Sequence, residues 1–438
     1  MPPPLALAGG RVIDPARGFD RVADVLIMDG CIAAVGQGLG YPDGARVIDV
    51  AGCVVAPGFV DLHCHLREPG QDHKETLRSG LAAAAAGGFT TVCCMPNTVP
   101  PLDMPERVRL VRERAAAVSP VCLHVIGAIS AGQQGARLAP LRELAAAGAV
   151  AFSDDGRPVW NAAVMREALR TAASLGLPLS VHEEDPQLAA GGVMNAGATA
   201  ARLGLRGLPA AAEEAMIARD LSLLAAEGGR LHIAHVSTRG AVALLRDART
   251  RGLAVSSEAT PHHLTLTEDL VARPWNGRPY DTRTKVNPPL RTPADVAALI
   301  AGLADGTIAA IATDHAPHAA ADKRCPYEEA AFGISLFETA LASVLSLVPQ
   351  GHLGLATLIE RLTSGPARLF GLDVGTLAPG ARADVTVFDP DAQWTVRAAS
   401  FLSRGHNTPL DGATVRGRVV LTLAGGMEAY HCPAVLKG

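Results

Sequence analysis

The feature that most constrains this chain is a repeated phrase. A short apolar run ends in a polar, chemically able residue, and an alanine- and leucine-rich stretch follows. The runs are DLHCHLREPG (61–70), FTTVCCMPN (89–97), VCLHVIGA (121–128), GAVAFSDD (148–155), LPLSVHEE (177–184), RLHIAHVS (230–237), AVSSEATP (254–261) and IAAIATDHAPH (308–318). Stretches such as AAVMREALRTAASLG (162–176) and TRGAVALLRDARTRG (238–252) have helical texture. Strand and helix in alternation predict a parallel sheet with helices outside. This many units favour a (β/α)8 barrel over an open sheet, placed here at residues 56–365. In such a barrel the C-terminal strand ends converge on one site. His63, His65, Asn97, Asp155, His182, His235 and Asp314 all stand at that address.

The two ends of the chain read differently. GRVIDPARGFDRVADVLIMDG, ARVIDVAGCVVAPG, GARADVTVFDP and VRGRVVLTLAGG alternate apolar and polar residues and are broken by Asp-Gly and Pro-Gly. They predict short antiparallel strands. Residues 1–55 and 366–438 are expected to join into one small β-sandwich domain.

Composition narrows the class of function. The net charge of -4 offers no basic stripe for nucleic acid, and 48% hydrophobic residues suffice for a core. No apolar run reaches membrane-spanning length, and MPPPLALAGG is not a convincing secretory leader. The eight cysteines show no CxxC pair or regular framework, which predicts reduced thiols and a cytoplasmic protein.

Imidazoles and carboxylates in this number suit a divalent metal such as Zn²⁺. His63 and His65 can hold one ion, and His182 and His235 a second. A shared oxygen anion must bridge two close ions, and either Asp154 or Asp155 can supply it. Such a pair activates water and polarises a carbonyl, which is machinery for making or breaking an amide. Two residues beyond His65 stands a guanidinium, Arg67. Strand spacing predicts that His63, His65 and Arg67 share one face.

DLHCHLREPG, MPNT, FSDDG, VHEE, IAHVST, KVNPPLR and ATDHAPH together resemble the bacterial class I dihydroorotases of the amidohydrolase superfamily. The likeness runs through the tail SRGHNTPLDGATVRGRVVLTLAGG and so spans nearly the whole chain. It implies zinc-dependent, reversible cyclisation of N-carbamoyl-L-aspartate to L-dihydroorotate in pyrimidine biosynthesis. It implies two zinc ions, held by His63, His65, His182, His235 and Asp314 and bridged by Asp155 and hydroxide. Asp314 is implied as the proton shuttle. Arg67, Asn97, Asn287 and His318 match substrate-binding positions, and Gly333 matches a backbone contact to the ring. A planar guanidinium at Arg67 suits the carboxylate of such a substrate. His262 and His263 in TPHHL read as scaffold rather than ligands. Two departures stand out, Gly365 where the family more often has Asn, and Ala331 where Pro is usual.

Two rival readings remain. One is an allantoinase or hydantoinase, which usually lacks this arginine and bridges its metals with a carboxylated lysine. The only lysines are Lys74, Lys285, Lys323 and Lys437, so none lies between the first histidine pair's loop and His182. The other is a non-catalytic subunit that scaffolds aspartate transcarbamoylase. Association with that enzyme, or with a second copy as a homodimer, is compatible with the resemblance.

Overall fold

The computed structural model describes residues 3–273 and 277–432. The expected runs form eight parallel strands in chain order: Phe59–Cys64, Phe89–Cys94, Cys122–Ala128, Ala149–Ser153, Leu179–Val181, Leu231–Ile233, Val255–Ala259 and Ala310–Ile311. The last strand returns to the first. Asp314 N donates to His63 O at 2.9 Å, and His65 N to His315 O at 2.9 Å. The sheet is thereby a nearly closed barrel, as the alternation predicts.

Several helices carry one apolar face and a start signal. Thr76 opens Leu77–Ala86 with a capping box to Ser79, and Thr292 opens Pro293–Asp305 with one to Asp295. Ala162–Leu175 buries Val164, Met165, Ala168, Leu169 and Ala172, the i, i+4 stripe that faces the strands. Inside the barrel Val60, Leu62, Cys93, Ile126, Ala151 and Ala310 share a core with Ala367 and Phe370 of the helix Ser364–Phe370. Gly365 belongs to this helix. A Cβ there would meet the carbonyls of Glu360 and Ala309 at 2.7 and 2.8 Å, so the packing leaves no room for a side chain.

The two chain ends build a second eight-stranded sheet. Val385–Thr395 from the C-terminal part pairs with Val54–Pro57 from the N-terminal part. One expectation needs correction. Arg46–Asp49 and Val54–Pro57 run parallel, not antiparallel, to Leu5–Asp14. The glycine-bearing segment after Cys31–Gly36 carries the chain to the opposite edge of Leu5–Asp14, where its direction is the same. Residues 1, 2 and 433–438 of the expected small domain, Lys437 among them, lie outside the described residues. All eight cysteines are free thiols. No helix among the described residues is long and apolar enough to cross a membrane.

Candidate active site

The strand ends deliver their polar residues to one place. A cavity of about 200 Å³ is lined by His65, Arg67, Asn97, Asp155, His182, His235, Asn287, Asp314, His318 and Gly333. Every site residue that the family resemblance implies is in this wall except His63, which is fully buried.

Asp155 is the centre of the arrangement. Its Oδ2 lies 3.3 Å from His63 Nε2 and 3.4 Å from His65 Nε2. Its Oδ1 lies 3.2 Å from His235 Nε2 and 3.5 Å from His182 Nδ1. One carboxylate therefore presents one oxygen to each histidine pair. Asp314 Oδ1 joins the first pair, 3.0 Å from His65 Nε2 and 3.5 Å from His63 Nε2. Burial alone would raise the Asp314 carboxyl. The field of His63 and the hydrogen bond from His65 outweigh it and hold the group below its ordinary range.

These atoms fit a metal. Two ligand atoms each about 2.0 Å from a tetrahedral ion stand roughly 3.3 Å apart. His63, His65 and Asp155 form one such group, and Asp155, His182 and His235 another. His63 Nε2 is buried with no hydrogen-bond partner, the state of a nitrogen aimed at an ion rather than at a proton acceptor.

The outer nitrogens of the first pair are braced. His63 Nδ1 meets Glu258 Oε1 at 2.8 Å, and His65 Nδ1 meets Asn97 Oδ1 at 2.9 Å. Each brace takes the Nδ1 proton and leaves the Nε2 lone pair pointing inward. Glu258 reaches His232 Nε2 with its other oxygen at 3.1 Å. Burial would raise the Glu258 carboxyl, but its two imidazole partners bring it down to about 2, so it is ionised. Sequence reasoning passed over Glu258. The signal was there, one acid inside the strand run AVSSEATP. Asn97, expected at the substrate, lines the cavity and also orients His65.

Asp154 is engaged elsewhere. Its oxygens accept from Ile129 N and Ser130 N at 2.9 Å and from the Ser130 hydroxyl, so it clasps the neighbouring strand end. His263 is scaffold, held by Thr260 at 2.8 Å and by Pro288 O at 2.9 Å. His262 is buried against it, and neither lines the cavity.

The same cavity wall also carries a buried cation. Arg67 is 8% exposed and has no carboxylate within ion-pair distance among the described residues. Its Nε donates to Pro317 O at 3.2 Å, and its Nη2 is 3.4 Å from His318 Nε2. Burial lowers the guanidinium to about 10, which leaves it charged at neutral pH. His318 is pushed well below the usual imidazole range by burial and then by Arg67, and is neutral. Asn287 Oδ1 is buried without a partner. The Gly333 N–H is given to Lys285 O at 2.9 Å and its carbonyl accepts from Asn407, so only the second lone pair of that carbonyl is open to a ligand. Asn407, from the C-terminal part, was not foreseen. It accepts from His318 N at 2.9 Å and donates to Ala316 O and Gly333 O at 3.0 Å each, fixing this wall.

The route of Arg67 into the cavity differs from the strand-face expectation. The strand stops at Cys64, and Arg67 has φ 62°. A left-handed turn brings it in. His235 (φ 33°) and Asp314 (φ 46°) share that rare backbone state, which collects at functional sites.

Comparison with known proteins agrees with this geometry. A family model described as dihydro-orotase-like matches residues 52–241. The dihydroorotase of Anaeromyxobacter dehalogenans (strain 2CP-C) is 53% identical over 427 residues, 98% of each chain. That of Syntrophus aciditrophicus is 47% identical over 428 residues, 98% of this chain and 99% of the other. Among solved structures, an L-hydantoinase from Arthrobacter aurescens superposes with a TM-score of 0.86 at 28% identity, covering 98% of this chain and 96% of its own. With that identity held over nearly the full length of its relatives, the chain belongs to the dihydroorotase family.

Proposed function

We propose that this chain interconverts N-carbamoyl-L-aspartate and L-dihydroorotate as a zinc-dependent dihydroorotase of pyrimidine biosynthesis. It is a cyclic amide hydrolase, and its substrate is a small molecule. The observation that carries the reading is one cavity in which Asp155 stands between two histidine pairs and which Arg67, without a carboxylate partner among the described residues, also lines.

Two zinc ions are assigned, one to His63, His65 and Asp314, one to His182 and His235, with Asp155 shared. Bound there, such ions make water nucleophilic at neutral pH and polarise the amide carbonyl. The chain's own groups do the rest. Arg67 holds the substrate carboxylate, with Asn97, Asn287, His318 and the Gly333 carbonyl around the ring. Asp314 takes the proton of the attacking water and delivers it to the departing ring nitrogen. In cyclisation it removes the carbamoyl N–H proton as the nitrogen bonds to the side-chain carboxyl carbon, and returns that proton to the hydroxide expelled from that carbon, which leaves as water.

The structural likeness to a hydantoinase supports the same fold and the rival substrate class. Against that rival stand Arg67 and the absence of lysine from the cavity wall. We assign the catalytic domain to residues 56–365 and the small β-domain to 1–55 with 366–438. The unpaired thiols suit the cytoplasm. Association with aspartate transcarbamoylase or as a homodimer is part of the same reading, and sizing the purified chain with and without that enzyme checks it. The purified chain alone, with its zinc counted, is to be assayed on dihydroorotate and on hydantoin. Turnover of dihydroorotate with hydantoin ignored is expected. The reverse preference assigns the rival activity, and inertness with no bound zinc assigns the scaffold.

A further inference from the structure

A second cavity, of about 750 Å³, adjoins the reaction cavity, and His318 lines both. Five basic side chains face it, Arg278, Arg283, Lys323, Arg324 and Arg404, against one carboxylate, Asp281. That excess is local, because the chain as a whole carries -4.

Not all of this charge is free. Arg283 is matched by Asp281 at 2.8 Å and Asp411 at 3.2 Å. Lys323 donates to three backbone carbonyls, and burial lowers it to about 7, so it carries part of a charge. Arg404 donates to a neutral group, Asp72 O, at 2.6 Å. Arg324 is exposed and has neither an ion pair nor a side-chain hydrogen bond among the described residues. Arg324 and Arg404 thus leave positive charge uncompensated within a concave wall.

The two cavities are mechanically joined. Asn407 lines the larger one, binds the His318 backbone, and grips Ala316 and Gly333 in the wall of the smaller one. The reaction cavity is small and offers a single guanidinium, Arg67. The ring-opened substrate carries two carboxylates and the ring-closed one carries one. A positive concavity adjoining the reaction cavity concentrates the dianion more than the monoanion.

We propose that the larger cavity is an anion-collecting antechamber that captures the dicarboxylate, ring-opened substrate before it passes His318. The inference rests on the reaction assigned above. Uncompensated guanidiniums act over about 8 Å at physiological salt, which confines the effect to the cavity and its mouth.

The test is Arg324→Glu, a change at an exposed side chain without partners. At low ionic strength kcat/KM for ring-opened substrate falls about three- to tenfold. It falls less for dihydroorotate, while kcat and bound zinc are unchanged. At about 1 M salt, where the screening length is roughly 3 Å, wild type and variant converge. Equal losses for both substrates, or none at low salt, overturn the proposal. Equilibrium dialysis of labelled succinate, a dicarboxylate that cannot react, separates this inference from the reaction itself. Salt-sensitive binding that Arg324→Glu weakens upholds the antechamber even if neither substrate turns over, in which case the assigned reaction falls. Succinate binding indifferent to Arg324 and to salt overturns the antechamber even in an active enzyme.

Discussion

The two ends of the reaction cavity solve opposite electrostatic problems. At the metal end every acid is answered from within the protein. Asp155 lies among four imidazoles, Asp314 against two, and Glu258 between His63 and His232. At the other end Arg67 has only neutral partners and no carboxylate among the described residues, and the Asn287 carbonyl has no partner. Buried polar groups are normally satisfied, so unanswered ones mark where a ligand completes the set. The metal end is therefore organised before substrate arrives, and the anion end is organised by it. On the proposed function, chemistry belongs to the first and affinity to the second.

Breaking each end separates the two. Asp314→Ala removes the proton carrier and one oxygen facing the first histidine pair. Turnover falls by at least the roughly 10²–10⁴-fold of general acid-base catalysis, with the circular dichroism spectrum unchanged. Activity within tenfold of wild type would take Asp314 out of the proton path. Arg67→Met breaks the anion end. Loss of a buried charge-assisted pair costs about 2–5 kcal/mol, read as a raised KM for both substrates with zinc content intact. If KM and kcat both hold, the carboxylate is bound elsewhere. Glu258→Gln is the subtlest change, because an amide cannot accept from His63 and His232 at once. Zinc affinity measured by chelator competition weakens about 10–100-fold, with KM little altered. Unchanged affinity would make Glu258 a support for His232 alone.

How much of this was legible in the sequence depended on how local the cause was. The barrel, the histidine pairs and Asp155 were legible because strand alternation and strand ends write themselves into adjacent residues. Arg67 was found for a partly wrong reason. Its spacing suggested a shared strand face, yet a left-handed turn that no residue-type rule demands of arginine brings it in. Residue type alone left Asp154 and Asp155 equivalent; the family resemblance favoured Asp155, and the Ser130 clasp on Asp154 agrees with it. Asn407 grips His318 from 89 residues away, and no local pattern encodes such a contact. The parallel pairing of Arg46–Asp49 was hidden because alternation reports a strand and not its direction.

The central claim is that the Asp155 carboxylate, not a carboxylated lysine, joins the two histidine pairs. Among the described residues no lysine lines the cavity, and the Asp155 oxygens divide between the pairs. The most direct measurement is to strip the metal, restore zinc in rigorously bicarbonate-free buffer, and follow dihydroorotate hydrolysis beside the zinc count. The account predicts full recovery without bicarbonate, and loss of paired zinc binding in Asp155→Ala. Recovery that waits for added bicarbonate, or an Asp155→Ala protein that still binds both ions, would contradict it.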